Sequence, residues 1–419
     1  MSAATAVLAL AATLVLALGG RFRAAPALGA VVGVAILLAG GLITGGDLRA
    51  AGPTPWRPMV TIASIMLMTT CAHRLGLLDR LAAIIEPKTR GPVRHAFRTV
   101  FVLAAASAAV LSNDGAILVL TPTVVALLRQ VYPRRHPRFV VPFAFAVFCA
   151  AGVAPLVTSN PMNLVVADRA GIGFNAYALR MIPVAVVGWV TTYLALCWVF
   201  RDALADEAPA PGAGPGALPP LPRLAWVVVL TLAAVLAAYP VVSYLDQPLW
   251  AVAVAGAVVC VPATLACGVG ARDVAGGPSW EILPFLAAVL LIATGLERAG
   301  LVDLLARLYE AAPAPIAVVG GVAAVGSALI DNHPMGLLGS LAIERAGGGP
   351  ELILAALVGG DLGPRLSPIG SLAGLLWLGS LRRQGVAIGV GQFIRVGVLV
   401  TVPSLCASLA ALWLVTAIF

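Results

Sequence analysis

The 419-residue chain is 61% hydrophobic and 11% charged, with a mean hydropathy of +1.01. Those values exclude an ordinary soluble domain, because too little polar surface exists to cover the apolar remainder and lipid must solvate much of it. The net charge of +8 reads as a Lys/Arg bias in cytoplasmic loops rather than as affinity for nucleic acid.

Met1–Gly20 is apolar from the start and lacks a basic n-region, so a first spanning helix is expected there rather than a cleavable signal peptide. Apolar segments follow near 25–45 and 58–73, and then an interrupted one at 97–128. Its first arm, Phe97–Leu111, gives ~22 Å of helix and passes the midplane of a ~30 Å hydrocarbon core. The chain then turns through Ser112-Asn113-Asp114-Gly115 and returns as Ala116–Leu128, the pattern of a re-entrant hairpin. Segment 139–167 is broken at Val157-Thr158-Ser159-Asn160-Pro161-Met162-Asn163, and 181–200 ends the first half. Ala208–Pro222 is a Pro/Gly/Ala linker. Beyond it lie segments at 224–243, 248–268 and 281–296 and a second hairpin, 314–343, that turns through Asp331-Asn332-His333-Pro334. A second broken helix, 351–380, opens at Gly360–Ser371, and 391–419 is the last span. The expected fold is all-α and polytopic. Residues 1–207 form one transmembrane repeat, 208–222 a cytoplasmic linker and 223–419 a second, inverted repeat, each repeat with a re-entrant hairpin and a broken helix.

The repeat is visible in the residues. Leu67–Ala82 aligns without gaps to Leu291–Ala306, with Thr70/Thr294, Arg74/Arg298, Gly76/Gly300 and Asp79/Asp303 among the identical pairs. With the N-terminus outside and both hairpins re-entrant, 18 of the 26 Lys and Arg residues fall on the cytoplasmic side, and the C-terminus is outside. The two copies then leave the membrane on opposite sides. That architecture allows a site at the repeat interface to open alternately to each face.

Irregular backbone at mid-membrane depth must be buried in protein or line a wet cavity, and an acid there is costly unless it functions or is paired. Asp114 and Asp331 can cap their return helices. Asp361 and Arg365, four residues apart, can neutralise each other. His333 can shuttle protons or act as a hydrogen-bonding spacer. The candidate proton-coupling residues are Asp114, Asp331, His333 and Asp361. The candidate substrate-binding groups are Ser112, Asn113, Thr158, Ser159, Asn160, Asn163, Asn332, Ser367, Gly370 and Ser371. The six cysteines lie in apolar stretches without a CxxC motif, so they read as packing residues, and no disulfide framework or structural metal is expected.

The runs SNDGAILVLTP (112–122), VTSNPMNLVVADRAGIGF (157–174) and GGDLGPRLSPIGSLAGLLWLGSLRRQG (359–385) closely resemble the ArsB-type arsenite/antimonite efflux permeases, within the ArsB/NhaD ion-transporter superfamily. The resemblance covers nearly the whole chain. It implies efflux of As(III) and Sb(III) as neutral trihydroxides across the inner membrane by proton antiport. It implies no cofactor and, in some bacteria, a soluble ArsA-type ATPase on the cytoplasmic face. Two positions depart from the family pattern. Ala150-Ala151-Gly152-Val153 stands where an Asp-Thr-Ala-Ser-like run is usual, and Asp331-Asn332-His333-Pro334 replaces Asn-Asn-x-Pro. Both bear on which residue carries the proton rather than on the fold. The alternative is a sodium- or proton-coupled carrier of another small ion or a dicarboxylate, which the acidic tips disfavour. An intramembrane enzyme would need a Ser/His pair or a GxGD acid pair, and neither is recognisable. Cysteines placed at Arg90 and Arg383 should react with impermeant reagent from the cytoplasm only, and one at Glu310 from outside only; reaction of position 90 from outside would overturn this orientation.

Overall fold

In a computed structural model of the chain, residues 2–19, 25–51, 56–77, 80, 92–131, 140–205 and 221–418 are described. Among them every regular element is a helix. The linker, apart from Leu221 and Pro222, and the stretch 81–91 lie outside the described residues. Helix α1 (Ser2–Gly19) packs on α2 (Ala25–Ala39), and α3 (Trp56–Arg74) follows. The first hairpin is α4 (Val93–Val110) and α5 (Asn113–Val131). The legs of a broken helix come next, α6 (Val141–Ala150) and α7 (Pro161–Arg169), and then the long α8 (Phe174–Val199). The second half repeats this order. It runs α9 (Ala225–Tyr244), α10 (Leu249–Ala266), α11 (Ile282–Arg298) and its bent continuation α12 (Leu301–Glu310). The hairpin α13 (Pro315–Ile330) and α14 (Asn332–Arg345) precedes the broken pair α15 (Pro350–Leu362) and α16 (Leu372–Arg383), and α17 (Val390–Ile418) is last.

Five described helices, α4, α8, α9, α10 and α17, are long and apolar enough to cross a bilayer, and α11 with α12, bent by 74°, would make a sixth. The broken legs are 10, 9, 13 and 12 residues long. At 1.5 Å per residue each reaches about halfway through a ~30 Å core, so each break falls near the midplane. Helices α9 and α10 turn apolar residues outward, with Leu230 at 65% and Val258 at 64% exposure, as suits a lipid-facing surface.

The halves are tied crosswise. Helix α2 packs on α11, and α3 on α10. Small residues allow this close approach: a methyl group on Gly295 would meet Leu37 at 2.9 Å, and one on Gly256 would meet the Met68 sulfur at 2.6 Å. Arg298 closes one end, its Nη2 lying 2.7 Å from Asp47 Oδ1 while its Nη1 donates to the Leu42 carbonyl at 2.9 Å. The Arg298 guanidinium, helped by Thr44, holds the Asp47 carboxyl well below the usual carboxylate range. The repeat-related Arg74 stands 3.9 Å from Asp273. Each of these helices is followed by a left-handed glycine, Gly76 (φ +68°) after α3 and Gly300 (φ +86°) after α11, a conformation in which a side chain would be strained. The return leg α5 packs on α16, and the return leg α14 packs on α7, so each hairpin rests on the other half's broken helix. An aromatic cluster fills the space behind α6, with Phe148 stacked on Trp377 at 4.6 Å and Phe145 edge-on to it.

Helices α13 and α15 meet closely at Gly359, where an added Cβ would lie 2.8 Å from Ala323 Cβ and 2.9 Å from Ala324 N. Gly359→Ala should therefore cost ~1–3 kcal/mol, seen as earlier thermal unfolding in detergent. Gly321→Ala, which meets nothing within 4 Å, should leave unfolding unchanged.

Candidate functional site

The first break leaves its helix at Ala150, runs irregularly to a short 3-10 turn at Val157–Ser159 and resumes at Pro161. Its polar groups are met from both halves of the chain. Asp361, at the end of α15 and 6% exposed, accepts three hydrogen bonds there: from Ala154 N at 2.9 Å, Asn160 Nδ2 at 2.7 Å and Asn163 Nδ2 at 3.0 Å. Asn163 Nδ2 also donates to the Tyr177 hydroxyl at 2.9 Å, and that hydroxyl donates to the Ala154 carbonyl at 3.1 Å. Asn160 caps α7 by accepting from Met162 N at 3.0 Å. Arg365 does not pair with Asp361. Its guanidinium donates to the carbonyl of Cys149, in the last turn of α6, and to Thr192 Oγ1 at 3.2 Å. Any side chain on Gly152 would collide with that guanidinium. A cation thus meets a helix C-terminus, the end its dipole favours for it, while a carboxylate meets one backbone and two amide N–H groups.

The tips are anchored to the breaks. Ser112 caps α5, accepting from Gly115 N at 3.0 Å, and Asn113 Nδ2 donates to the Gly152 carbonyl at 3.1 Å. The Asp114 side chain lies outside the described residues. At the second tip Asp331 is 2% exposed with φ +74° and ψ 150°, a conformation that costs a non-glycine residue ~1–3 kcal/mol. It is held by its own carboxylate, whose Oδ1 accepts from His333 N at 3.0 Å and lies 2.9 Å from His333 Nδ1. Asn332 N donates to the Gly370 carbonyl at 3.1 Å. Ser371 caps α16, accepting from Gly374 N at 3.1 Å, Ser367 accepts from Ile369 N at 3.3 Å, and Ser159 donates to the Ala109 carbonyl at 2.7 Å.

A cavity of about 330 Å³ lies beside the first tip. Thr69 and Thr70 on α3, Ser112 at the tip and Ser279 before α11 line it, among apolar residues such as Met66, Leu118, Val119 and Leu376. Pro161 and Ala373 bring the first turns of α7 and α16 to its wall, and His73 and Arg74 stand at one end. Of the residues singled out by sequence, Ser112 reaches this cavity. Thr158 lines a separate crevice of about 20 Å³ with Tyr239. Asn113, Ser159, Asn160, Asn163 and Ser371 engage backbone or side chains instead. Sequence reasoning missed Thr69, Thr70 and Ser279, although Thr70/Thr294 was already an identical pair in the repeat. Asp361→Asn would put an NH2 group among three donors, leaving a buried donor unmet at ~1–3 kcal/mol. The variant should unfold earlier in detergent and lose transport, whereas wild-type unfolding would show the three bonds to be incidental.

The chain matches the family described as ArsB, arsenical pump membrane protein, over residues 5–416. It is 30% identical over 400 residues to the arsenical pump membrane protein of Escherichia coli (strain K12), covering 91% of this chain and 92% of the relative. It is also 30% identical over 395 residues to that of Yersinia enterocolitica, covering 90% and 91%. The crystal structure of the Alcanivorax borkumensis YdaH transporter, described as having an unusual topology, superposes with a TM-score of 0.61 at 19% identity over 90% of each chain, a likeness of fold. The apolar spans, the interlocked breaks and these matches agree, and the chain belongs to the ArsB family of arsenical pump membrane proteins.

Proposed function

We propose that this chain expels arsenite and antimonite as neutral trihydroxides across the inner membrane, in exchange for entering protons, with two inverted halves that give alternating access. The observation that carries this reading is the cavity beside the first tip, with four hydroxyl-bearing residues in its wall. Arsenous acid is uncharged near neutral pH, so it is recognised by donors and acceptors rather than by an opposite charge. The cargo meets Thr69, Thr70, Ser112 and Ser279 first. Asn113, Thr158, Ser159, Asn160, Asn163, Asn332, Ser367, Gly370 and Ser371 are the further polar positions that would exchange partners with the cargo as the halves move. The inversion is supported by the contact of Arg74 with Asp273. Helix α3 arrives at that face and α11 departs from it, so the aligned copies run in opposite senses. The Lys/Arg bias makes this the cytoplasmic face, with both termini outside. An ArsA-type ATPase, in a cell that has one, would dock there.

Moving a neutral solute uphill requires another species to supply free energy, and a proton entering down the membrane potential supplies ~2.3 kcal/mol per 100 mV. Asp361 already accepts three hydrogen bonds. We therefore assign the proton to Asp114 first and to the Asp331–His333 pair second. The test is uptake of As(III) into everted vesicles with and without an imposed proton gradient. Asp114→Asn should abolish gradient-driven accumulation and keep downhill exchange. Accumulation by that variant would move the assignment to Asp331, and absence of uptake by the unaltered chain would sink the cargo itself.

A further inference from the structure

The repeat makes two interfaces comparable, and they are in different states. Aligning Leu67–Ala82 with Leu291–Ala306 sets Thr69 opposite Ala293, Thr70 opposite Thr294 and His73 opposite Glu297, while the tips match Asn113 with Asn332. In the first half the return leg α5 meets α3 at its start, where a Cβ added to Gly115 would lie 3.3 Å from Thr69 Cγ2, and a cavity opens beside that contact, lined by Gly115, Val119, Thr69, Thr70 and His73. In the second half the equivalent surfaces are closed. Helix α14 packs on both α11 and α12, the His333 ring stands edge-on to Phe285 at 5.6 Å, and Ala293 is 1% exposed.

One side chain fastens the far end of this closed interface. Arg345, in the last turn of α14, reaches Glu297 on α11 at 3.0 Å and also pairs with Asp303 on α12. It therefore bridges the 74° bend at Gly300 and joins three helices through a single guanidinium. The first half has no copy of the Glu297 carboxylate, because His73 occupies that position. All three side chains are about a third to a half exposed, so the network adds little to folding stability. An equilibrium between two folded conformers of similar free energy responds to contributions of that size.

We propose that Arg345 is a strap that keeps the outer face shut while the cytoplasmic cavity is open, and that its release from Glu297 and Asp303 accompanies the switch to the outward-open state. The proposal rests on the alternating-access reading above. It is tested by labelling rates of single cysteines with an impermeant maleimide, in a chain whose six native cysteines, among them the exposed Cys406 and the partly exposed Cys197 and Cys267, are replaced. Ala293→Cys reports the outer interface and Thr69→Cys the cytoplasmic cavity. Arg345→Gln should speed labelling of Ala293→Cys from outside by about three-fold or more and slow labelling of Thr69→Cys from the cytoplasm. Should Arg345→Gln fail to reach the membrane, the pair Glu297→Gln with Asp303→Asn removes the same contacts and should shift both rates alike. The exchange of Arg345→Glu with Glu297→Arg should bring them back toward the unaltered values. Unchanged rates in both disrupted variants would overturn the strap. Labelling does not depend on the cargo, so unchanged rates with intact arsenite transport sink the strap alone. Shifted rates, together with no arsenite transport by the unaltered chain, sink the cargo assignment and leave the strap standing.

Discussion

Backbone that leaves a helix inside a bilayer must find its hydrogen-bond partners within the protein, because hydrocarbon offers none. Here the first break finds them across the molecule. The Asp361 carboxylate and the Arg365 guanidinium, both from the second half, satisfy N–H groups and a carbonyl of the first. Asn113 brings the first hairpin tip to the same few residues, and Trp189 Nε1 donates to the Ala150 carbonyl from α8 at 3.0 Å. The stretch 149–154 is thus a junction at which the hairpin, both broken helices and a long span meet. Its sequence, Cys149-Ala150-Ala151-Gly152-Val153-Ala154, has small side chains that leave room for the incoming charges.

That junction explains the division of labour among the polar residues. Groups that hold the breaks are buried and already bonded, so they set shape. The neighbouring cavity wall is largely apolar and carries Thr69, Thr70, Ser112 and Ser279, whose hydroxyls can both donate and accept. The carboxylate serving the first break comes from Asp361, on the partner half, and its three donors are fixed by Ala154, Asn160 and Asn163.

Much of the helical order was legible in advance. The turn at Ser112–Gly115 and the break at Val157–Asn163 fall where polar and Gly/Pro residues interrupt apolar runs, since such residues are tolerated at that depth only for a structural reason. Helix ends differ by a few residues: the outgoing leg begins at Val93 rather than Phe97, because polar residues continue a helix past the hydrocarbon edge. Asp361 and Arg365, four residues apart, form no direct ion pair. Four-residue spacing makes neighbours only on a continuous helix, and α15 ends at Leu362, so the two side chains diverge to different partners. The cavity hydroxyls were overlooked for a related reason: Thr69 and Thr70 lie within an apolar span, where a hydroxyl can bond its own helix and carries no distinctive signal.

By itself the sequence determined that this is a membrane protein whose apolar segments are interrupted by acids and prolines, because hydropathy and the spacing of polar residues are properties of the chain alone. Only the tertiary structure decided which polar groups bond each other and which face open space. Contacts such as Ala154 to Asp361 join residues more than two hundred positions apart. No local spacing encodes such a contact. It exists only once two helices have broken at the same depth and come to lie side by side.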